Sequence, residues 1–577
     1  MKYKLYPNSL NDLSRIQETV FKNRLYQYPS GGFDENVSSF EKLTMNSKAV
    51  TMFAENIESC SQIELIVDSD FDGYASASIL YRYLRENFPH KKINYYLHEG
   101  KQHGLSDDIP WRQFADHSLV LIPDAGSNDI EQCRILLEQC GCEIIVLDHH
   151  VVDKPNHYAA IMNSQLWEYP NPYLCGTGVT WQFIRALDEL YWTENADEYL
   201  EMVAMATVAD IMDITVPENR LLIDTGLKSI THPLLESLAN KAGVAISGIT
   251  GIDAQFSIIP LVNAMVRVGG SEEKELLFRA FCCEYEVFDY KKRGSDEVTE
   301  ENIYDRAARL CYNAKNRQKR SKTNDIDSLI AQITDKNLDD NQVIVVNGSS
   351  SSQALTGVLA AQLADKYKKP CLVLRRKPVE DEDAPVFYGG SGRNSMLSTV
   401  QNFKELLEST GLFKLVAGHN NAFGVEIERT QIPKLIQMLN KMVDSTIDPF
   451  IQADFIIDAD DLCFETVADF AKSVRPFCGE GFPEPIVVVE NIIVRRDQVT
   501  LMGGGTSWKV ITDDDVEIVK FGVPQSDLVI NWYNETEDET LQMTAAGTIG
   551  MNQWGGILKG QLVIKEYEAC GVMSVNV

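Results

Sequence analysis

Three aspartates at alternate positions, Asp68, Asp70 and Asp72, follow the apolar run IELIV in the segment DSDFDG. In an extended segment their carboxylates would project from one side. Like charges this close raise one another's pKa, and a divalent cation with hard oxygen ligands is the usual means of keeping them ionised. The arrangement recurs: SLVLI ends in PDAG, which supplies Asp124, and EIIVL ends in Asp148, His149 and His150. Carboxylates and imidazoles are costly to bury without a partner, so strand ends that carry them must have something to hold. Asp210, in MATVADIMD, is a fourth acid in an otherwise apolar helical segment. Mixed carboxylate and imidazole ligands suit manganese, with zinc, iron or magnesium as alternatives. A solvated acidic turn accounts for DSDFDG taken alone, but it accounts poorly for four such placements.

Groups so far apart in sequence need a scaffold that gathers strand ends. IELIV, KINYYL, SLVLI and EIIVL alternate with helical patterns such as YASASILYRYLREN and NDIEQCRILLEQC, which predicts a doubly wound, mostly parallel α/β sheet. The carboxyl ends of strands in such a sheet form the ligand crevice, where these residues can converge. Helical patterns continue from Thr177 to Leu227, and a charged stretch over 284–335 predicts a connecting helix. Its basic run KNRQKRSK, Lys315 to Lys322, is either a strand-binding groove or a solvated helical face. A second α/β block starts at QVIVVNGSSSSQALTGVLAAQLADKY and continues through CLVLR and VFYGGSGR. From Pro485, β-branched runs separated by RRDQ, GGGT and TDDD predict a small antiparallel barrel. The expected domains are 1–275, a linker over 276–335, 336–484 and 485–577.

At 577 residues the chain exceeds what one core organises, and 44% hydrophobic with 24% charged residues describes an ordinary globular protein. Its twelve cysteines are scattered with no CxxC pair, which favours reduced thiols over structural zinc. No apolar stretch approaches the roughly 20 residues of a membrane helix. The opening MKYKLYPNSLNDLSRI lacks the apolar core of a secretion signal. A cytoplasmic location with no membrane partner is therefore expected. The formal net charge of −31 repels phosphate backbones at long range. A nucleic-acid substrate would then need cations concentrated in a groove, or bound metals.

DSDFDG, PDAG, LDHH and ATVAD, in this order and at these spacings, resemble the four motifs of the DHH phosphoesterases. More narrowly they resemble the RecJ group, bacterial exonucleases that degrade single-stranded DNA from its 5′ end. LCGTGVTWQF, ENRLLIDTGL, IIPLVNAMVR, GGSGR, AGHNNAFG and FCGEGFPEP extend the match from about residue 60 to beyond 520. The resemblance implies a DHH domain, a connecting helix, a DHH-associated domain and an oligonucleotide-binding (OB) type barrel. It also implies two divalent ions, manganese in the usual case and magnesium as the alternative. Carried over motif by motif, Asp70, Asp72, Asp124, His149, His150 and Asp210 look like the catalytic metal cluster, with Asp68 joining it. Arg267, Ser391, Gly392 and Arg393 look like binders of the terminal phosphate, and His419 like a substrate contact.

Where the family often has an arginine followed by EGYGL, this chain reads HEGKQHGL, so that His98 and His103 replace an arginine and a tyrosine. His98 is then the substrate-binding candidate, with a weakened preference for a 5′ phosphate. An OB barrel stacks bases on aromatics within a basic groove. Trp508, Lys509, Trp532 and Tyr533 are the candidates, with core packing as the alternative. The acidic TDDD and NETEDET suit instead a protein partner, such as a single-strand-binding or replication/repair protein. Short RNA or cyclic dinucleotides as substrates, or a catalytically silent replication scaffold, are the competing readings.

Overall fold

The run IELIV forms a central strand, Ile63–Val67 (β1), buried at every residue. Its one charge, Glu64, accepts hydrogen bonds from the side chains of Gln62, Asn94 and Tyr96 at 2.7–2.9 Å. Phe71–Asn87 (α1) returns the chain to Ile93–Leu97 (β2); Leu119–Pro123 (β3), Ile130–Cys140 (α2), Glu143–Asp148 (β4) and Ala160–Asn163 (β5) complete a five-stranded sheet. All its pairings are parallel, in the order β2-β1-β3-β4-β5. The order reverses between β1 and β3, which is where a doubly wound sheet opens a crevice at its strand ends. Alternation along the strands sends Ile63, Leu65 and Val67 into one core and Ile66, with Val120, Ile122, Ile144 and Val146, into another. Both faces are thus covered, as a parallel sheet requires.

The helical region contains Gly176–Tyr191 (α3), Leu200–Ala209 (α4), Ile259–Val268 (α5) and Ser271–Phe281 (α6). Residues Ala254–Ile258, immediately before α5, wind as a π-helix. The expected connector is a single helix of 33 residues, Ile303–Asp335 (α7), which carries Lys315 to Lys322. Beyond it come Ile344–Asn347 (β6), Thr356–Tyr367 (α8), Cys371–Arg376 (β7), Phe387–Arg393 (β8), Phe413–His419 (β9) and Ala422–Glu428 (β10). Their sheet has the order β9-β10-β8-β7-β6, with β6 and β7 parallel and the other neighbours antiparallel.

The computed structural model describes residues 1–30, 32–38, 40–44, 48–166, 169–291, 294, 297–349, 355–378, 385–395, 398–443, 450–524, 526–535, 540–554 and 557–573, apart from the side chains of 34, 321–324, 419, 553–557 and 570–573. Serines 350–352 and residues 536–539 of NETEDET lie outside them. The chain divides into two units, residues 5–315 with 453–577, and residues 1–4 with 316–452. Among the described residues no helix is long and apolar enough to cross a membrane.

The C-terminal strands differ from an all-antiparallel barrel. Phe455–Asp458 (β11), Phe464–Ser473 (α9), Val487–Val494 (β12), Val499–Met502 (β13), Ser507–Ile511 (β14), Val516–Phe521 (β15), Leu528–Glu535 (α10), Thr540–Trp554 (β16) and Ile557–Met573 (β17) succeed one another. Their seven strands form one mixed sheet ordered β11-β12-β16-β17-β15-β14-β13, with β11–β12 and β15–β17 parallel. Parallel neighbours need a crossover, and the helices α9 and α10 supply it. β11 precedes Pro485 in sequence and still joins this sheet. Trp508 and Trp532 are buried in the core of this unit. The Trp508 indole N–H donates to Asp527 at 3.0 Å, and Lys509 pairs with Glu517 at 2.8 Å. These two tryptophans are therefore core residues and offer no free ring face to a base.

Candidate metal centre

The ends of β1, β3 and β4 supply the groups of the centre. The chain leaves β1 through Asp68, and Asp70 caps α1 by accepting the Gly73 amide at 3.1 Å. Asp72 is thereby set in the first helical turn and buried. Gly73 is needed for space: a Cβ there would overlap the Asp68 backbone. Donors at the start of α3 hold the Asp72 carboxylate, namely the Gly176 amide at 2.8 Å, the Thr177 amide at 2.8 Å and the Thr177 hydroxyl at 2.5 Å. Burial pushes Asp72 up to about 6; the Thr177 bonds oppose this rise and the charge of Asp70 adds to it. Asp124 ends β3 with φ at 65°, a left-handed conformation that aspartate tolerates better than most residues. A Cβ on Gly176 would overlap the Asp124 carboxylate, so the glycine of CGTG makes room for this ligand.

His149 stands among three of these acids. Its Nε2 lies 3.2 Å from Asp124 Oδ1, 3.3 Å from Asp210 Oδ2 and 4.0 Å from Asp72 Oδ2. None of these approaches has hydrogen-bond geometry, and both His149 Nε2 and Asp124 Oδ1 are buried without a hydrogen-bond partner. Burial, with His150 beside it, pushes His149 down to about 4, so the ring is neutral at pH 7. Enclosure and the charges of Asp72 and Asp70 drive Asp124 and Asp210 well above the usual carboxylate range. Ligand atoms of Asp68, Asp70 and Asp124, of Asp72, His149 and Asp210, and of Asp124, His149 and His150 gather in groups within 4.8 Å. Unpartnered buried ligand atoms among mutually repelling carboxylates are what a divalent cation relieves, and this donor set fits one.

Several residues outside the expected ligand set position it. Asp148 accepts the amides of Ser127, His149 and His150 at 2.7–3.1 Å and the His150 ring Nδ1–H at 2.8 Å. Partial burial disfavours charge on His150, but its bond to Asp148 outweighs this and lifts it to about 9. Asn163 and Gln165 hold the carbonyls of His150 and His149 at 2.9 and 2.8 Å. His103 Nδ1 lies 2.7 Å from Asp68 Oδ2, while the Gly104 amide donates to the other oxygen at 3.2 Å. The paired glycines of CGTG were the available signal for Thr177; no local signal ties His103 to Asp68.

The model of the DHH family, N-terminal domain, matches residues 62–207. The chain is 34% identical over 562 residues to a Bacillus subtilis protein named as the SPbeta prophage-derived single-strand DNA-specific exonuclease YorK, covering 95% of both chains. The chain belongs to the DHH family. It is 24% identical over 543 residues to the single-stranded-DNA-specific exonuclease RecJ of Bacillus subtilis, covering 90% of this chain and 63% of that one. The crystal structure of RecJ from Thermus thermophilus in complex with Mn2+ has a TM-score of 0.67 at 18% identity, over 98% of this chain and 78% of that one, a likeness of fold.

The remaining residues expected of a DHH site are not all brought to the crevice. Arg267 is in the last turn of α5, a helix that meets the start of α1, where Asn263 Oδ1 accepts the Phe71 amide at 3.1 Å. Burial lowers the Arg267 pKa, and the charge of Asp70 opposes this. His98 does not join it: its buried ring is held by Asp108 at 3.1 Å, and its carbonyl accepts Lys274 Nζ at 3.0 Å. Of the two histidines in HEGKQHGL, His103 is the one that reaches a DHH-motif carboxylate. Ser391, Gly392 and Arg393 lie on β8 and His419 on β9, in the unit built from 316–452. Ala422 is opposite both Arg393 and His419, so the register aligns GGSGR with AGHNNAFG. Ser391 Oγ is 2.9 Å from Thr356 Oγ1, and Arg393 donates to the Gly392 carbonyl at 2.7 Å. The His419 side chain is outside the described residues.

Proposed function

We propose that this DHH-family chain is a metal-dependent exonuclease that removes nucleotides from single-stranded DNA, from the 5′ end, in repair, recombination or replication. The observation that carries the reading is the pair of buried, unpartnered ligand atoms, Asp124 Oδ1 and His149 Nε2, facing Asp72 and Asp210. In this reading Asp70, Asp72, Asp124, Asp210, His149 and His150 hold two divalent ions, manganese before magnesium, with Asp68 in support. Such ions, when bound, lower the pKa of an attacking water and stabilise the entering and leaving oxygens of an in-line displacement.

The residues around the centre do the orienting. Thr177 and Gly176 keep Asp72 deprotonated and aimed; Asp148 holds His150 as a cation, which can meet a phosphate oxygen. In the same reading Arg267, Ser391, Gly392 and Arg393 bind the terminal phosphate, and His419 contacts the substrate. Residues 485–577 act as an OB-like strand-binding or partner-binding module without Trp508 or Trp532 as stacking surfaces.

The test is to incubate the protein with manganese or magnesium and end-labelled long single-stranded DNA, duplex DNA or short RNA, each with 5′-phosphate or 5′-hydroxyl ends. Progressive mononucleotide release from long single strands is the expected result, lost on Asp124→Ala or His149→Ala. Preference for short RNA would replace this reading with an oligoribonuclease, and no cleavage of any substrate would leave a silent scaffold.

A further inference from the structure

Two strand ends that flank the metal centre carry the same unit. Asp68 follows β1 and Asp148 ends β4; both are buried, and each holds the Nδ1 of an imidazole, His103 at 2.7 Å and His150 at 2.8 Å. The two rings are 48% and 52% exposed. An ionised carboxylate only accepts, so Nδ1 carries a hydrogen in both rings. Neither Nε2 has a partner among the described residues. Leu65 pairs with Leu121 and Pro123 with Leu147, a register that sets Asp68, Asp124 and Asp148 level at the ends of three adjacent strands. Asp68 and Asp148 thus stand on either side of Asp124, about 10 Å apart at about 4.8 Å per strand spacing.

The two imidazoles differ in depth. His150 shares a ligand group with Asp124 and His149, whereas His103 belongs to none of the ligand groups among the described residues and meets the centre through Asp68, itself grouped with Asp70 and Asp124. The backbone beside His103 is nevertheless pinned. Gly104 has φ at 56° and no room for a Cβ beside Asp129, and the amide of the buried Leu105 donates to Asp129 at 2.7 Å. In a chain of net charge −31, a phosphate beyond the metals needs a donor of its own. We infer that His103 is a substrate-contacting residue, whose Nε2 meets an oxygen of the phosphate next to the one at the metal centre. It is the counterpart of His150 across Asp124. A carboxylate behind the ring favours the cationic form, which suits a charge-assisted bond to a phosphate oxygen. The identity of the ligand as a nucleic-acid strand rests on the nuclease reading above. Contact with two successive phosphates makes a strand, rather than a lone phosphate ester, the preferred ligand.

The test uses the full chain and 3′-labelled oligodeoxynucleotides in which one of the first four linkages from the 5′ end is a methylphosphonate, which replaces the charged oxygen with a methyl group. His103→Asn keeps an N–H for Asp68 and removes the outer nitrogen. On the all-phosphate strand with manganese, His103→Asn should raise KM about 3- to 20-fold, the loss of one charge-assisted bond on a half-exposed ring, and His103→Arg should restore it. Methylphosphonate at one linkage beside the cleaved one should cost the parent protein the same factor, and His103→Asn should add nothing further on that strand. Manganese affinity and melting temperature should match the parent in His103→Asn. A penalty at every linkage that is equal in parent and variant, or a manganese affinity that falls as far as KM rises, would overturn the contact. Anisotropy with calcium in place of manganese gives the same comparison for binding alone. A parent protein that shows the coupled penalty in binding but cuts nothing would end the nuclease reading and leave the contact standing; cleavage without that coupling would do the reverse.

Discussion

Replacing Thr177 with valine probes how the fold tunes a metal ligand without touching the ligand itself. The side chain is fully buried and its hydroxyl donates to Asp72 at 2.5 Å, so valine keeps the shape and removes one hydrogen bond to a charged group. Such bonds contribute about 1.5–3 kcal/mol. At 1.36 kcal/mol per pKa unit, Asp72 should rise by about 1–2 units from its value of about 6. At pH 6 the parent carboxylate is then about half ionised and that of the variant roughly a tenth to a hundredth ionised, so protonation alone should weaken manganese binding about 5- to 50-fold. At pH 8 the same shift costs no more than about 2-fold. Manganese titrations of parent and variant at pH 6, 7 and 8, followed by calorimetry or by the resonance signal of unbound Mn2+, read the ratio directly. A ratio that does not narrow between pH 6 and pH 8 in a folded variant would refute the account.

Four further outcomes follow from the same geometry. Asp124→Asn should abolish manganese-dependent hydrolysis and raise the melting temperature of metal-free protein at high pH, because it removes a group whose charged form burial and the neighbouring acids disfavour; retained hydrolysis under saturating manganese would contradict the assignment. Metal-free protein should lose stability as pH rises from about 7 to 9. Unfolded carboxylates ionise near pH 4 and unfolded histidine near 6.5, whereas folded Asp124 and Asp210 are held well above the carboxylate range and His150 near 9. The folded state therefore holds the extra protons: the raised carboxylates begin to give up their stabilisation as pH rises past about 4, and His150 gives up its share between about 6.5 and 9; calorimetry with and without manganese should show the slope flatten when metal is bound. Gly176→Ala should displace Asp124 and destabilise by about 1–3 kcal/mol, with manganese affinity falling alongside in the same titration. Trp508→Ala should cost about 3–5 kcal/mol in denaturant melts while single-strand affinity of the folded protein is unchanged, as its burial requires.

Much of the centre was legible because its geometry is mostly local. IELIV, SLVLI and EIIVL must be buried strands, and the acids and imidazoles that end them must meet wherever parallel strands end together. Asp70, Asp72, Asp124 and His149 could be singled out on that ground, Asp210 as an acid in an apolar helical segment, and the motifs of the DHH family ordered them. The burial of Trp508 was also within reach, since alternation along SWKVI puts it with Val510 on the side opposite Lys509. The parallel pairs β11–β12 and β15–β17 were less accessible, because strand patterning reports which face is buried and says nothing of which neighbour a strand chooses.

The sequence by itself determined which chemistry the strand ends could perform, through residue type and the high cost of burying charge. Only the tertiary structure decided which groups support that chemistry. Either histidine of HEGKQHGL could have met the cluster; loop closure brings His103 to Asp68 and leaves His98 buried against Asp108. Thr177 acts on Asp72 from 105 positions away. Contacts between distant segments depend on how whole elements pack, and local composition carries no record of that.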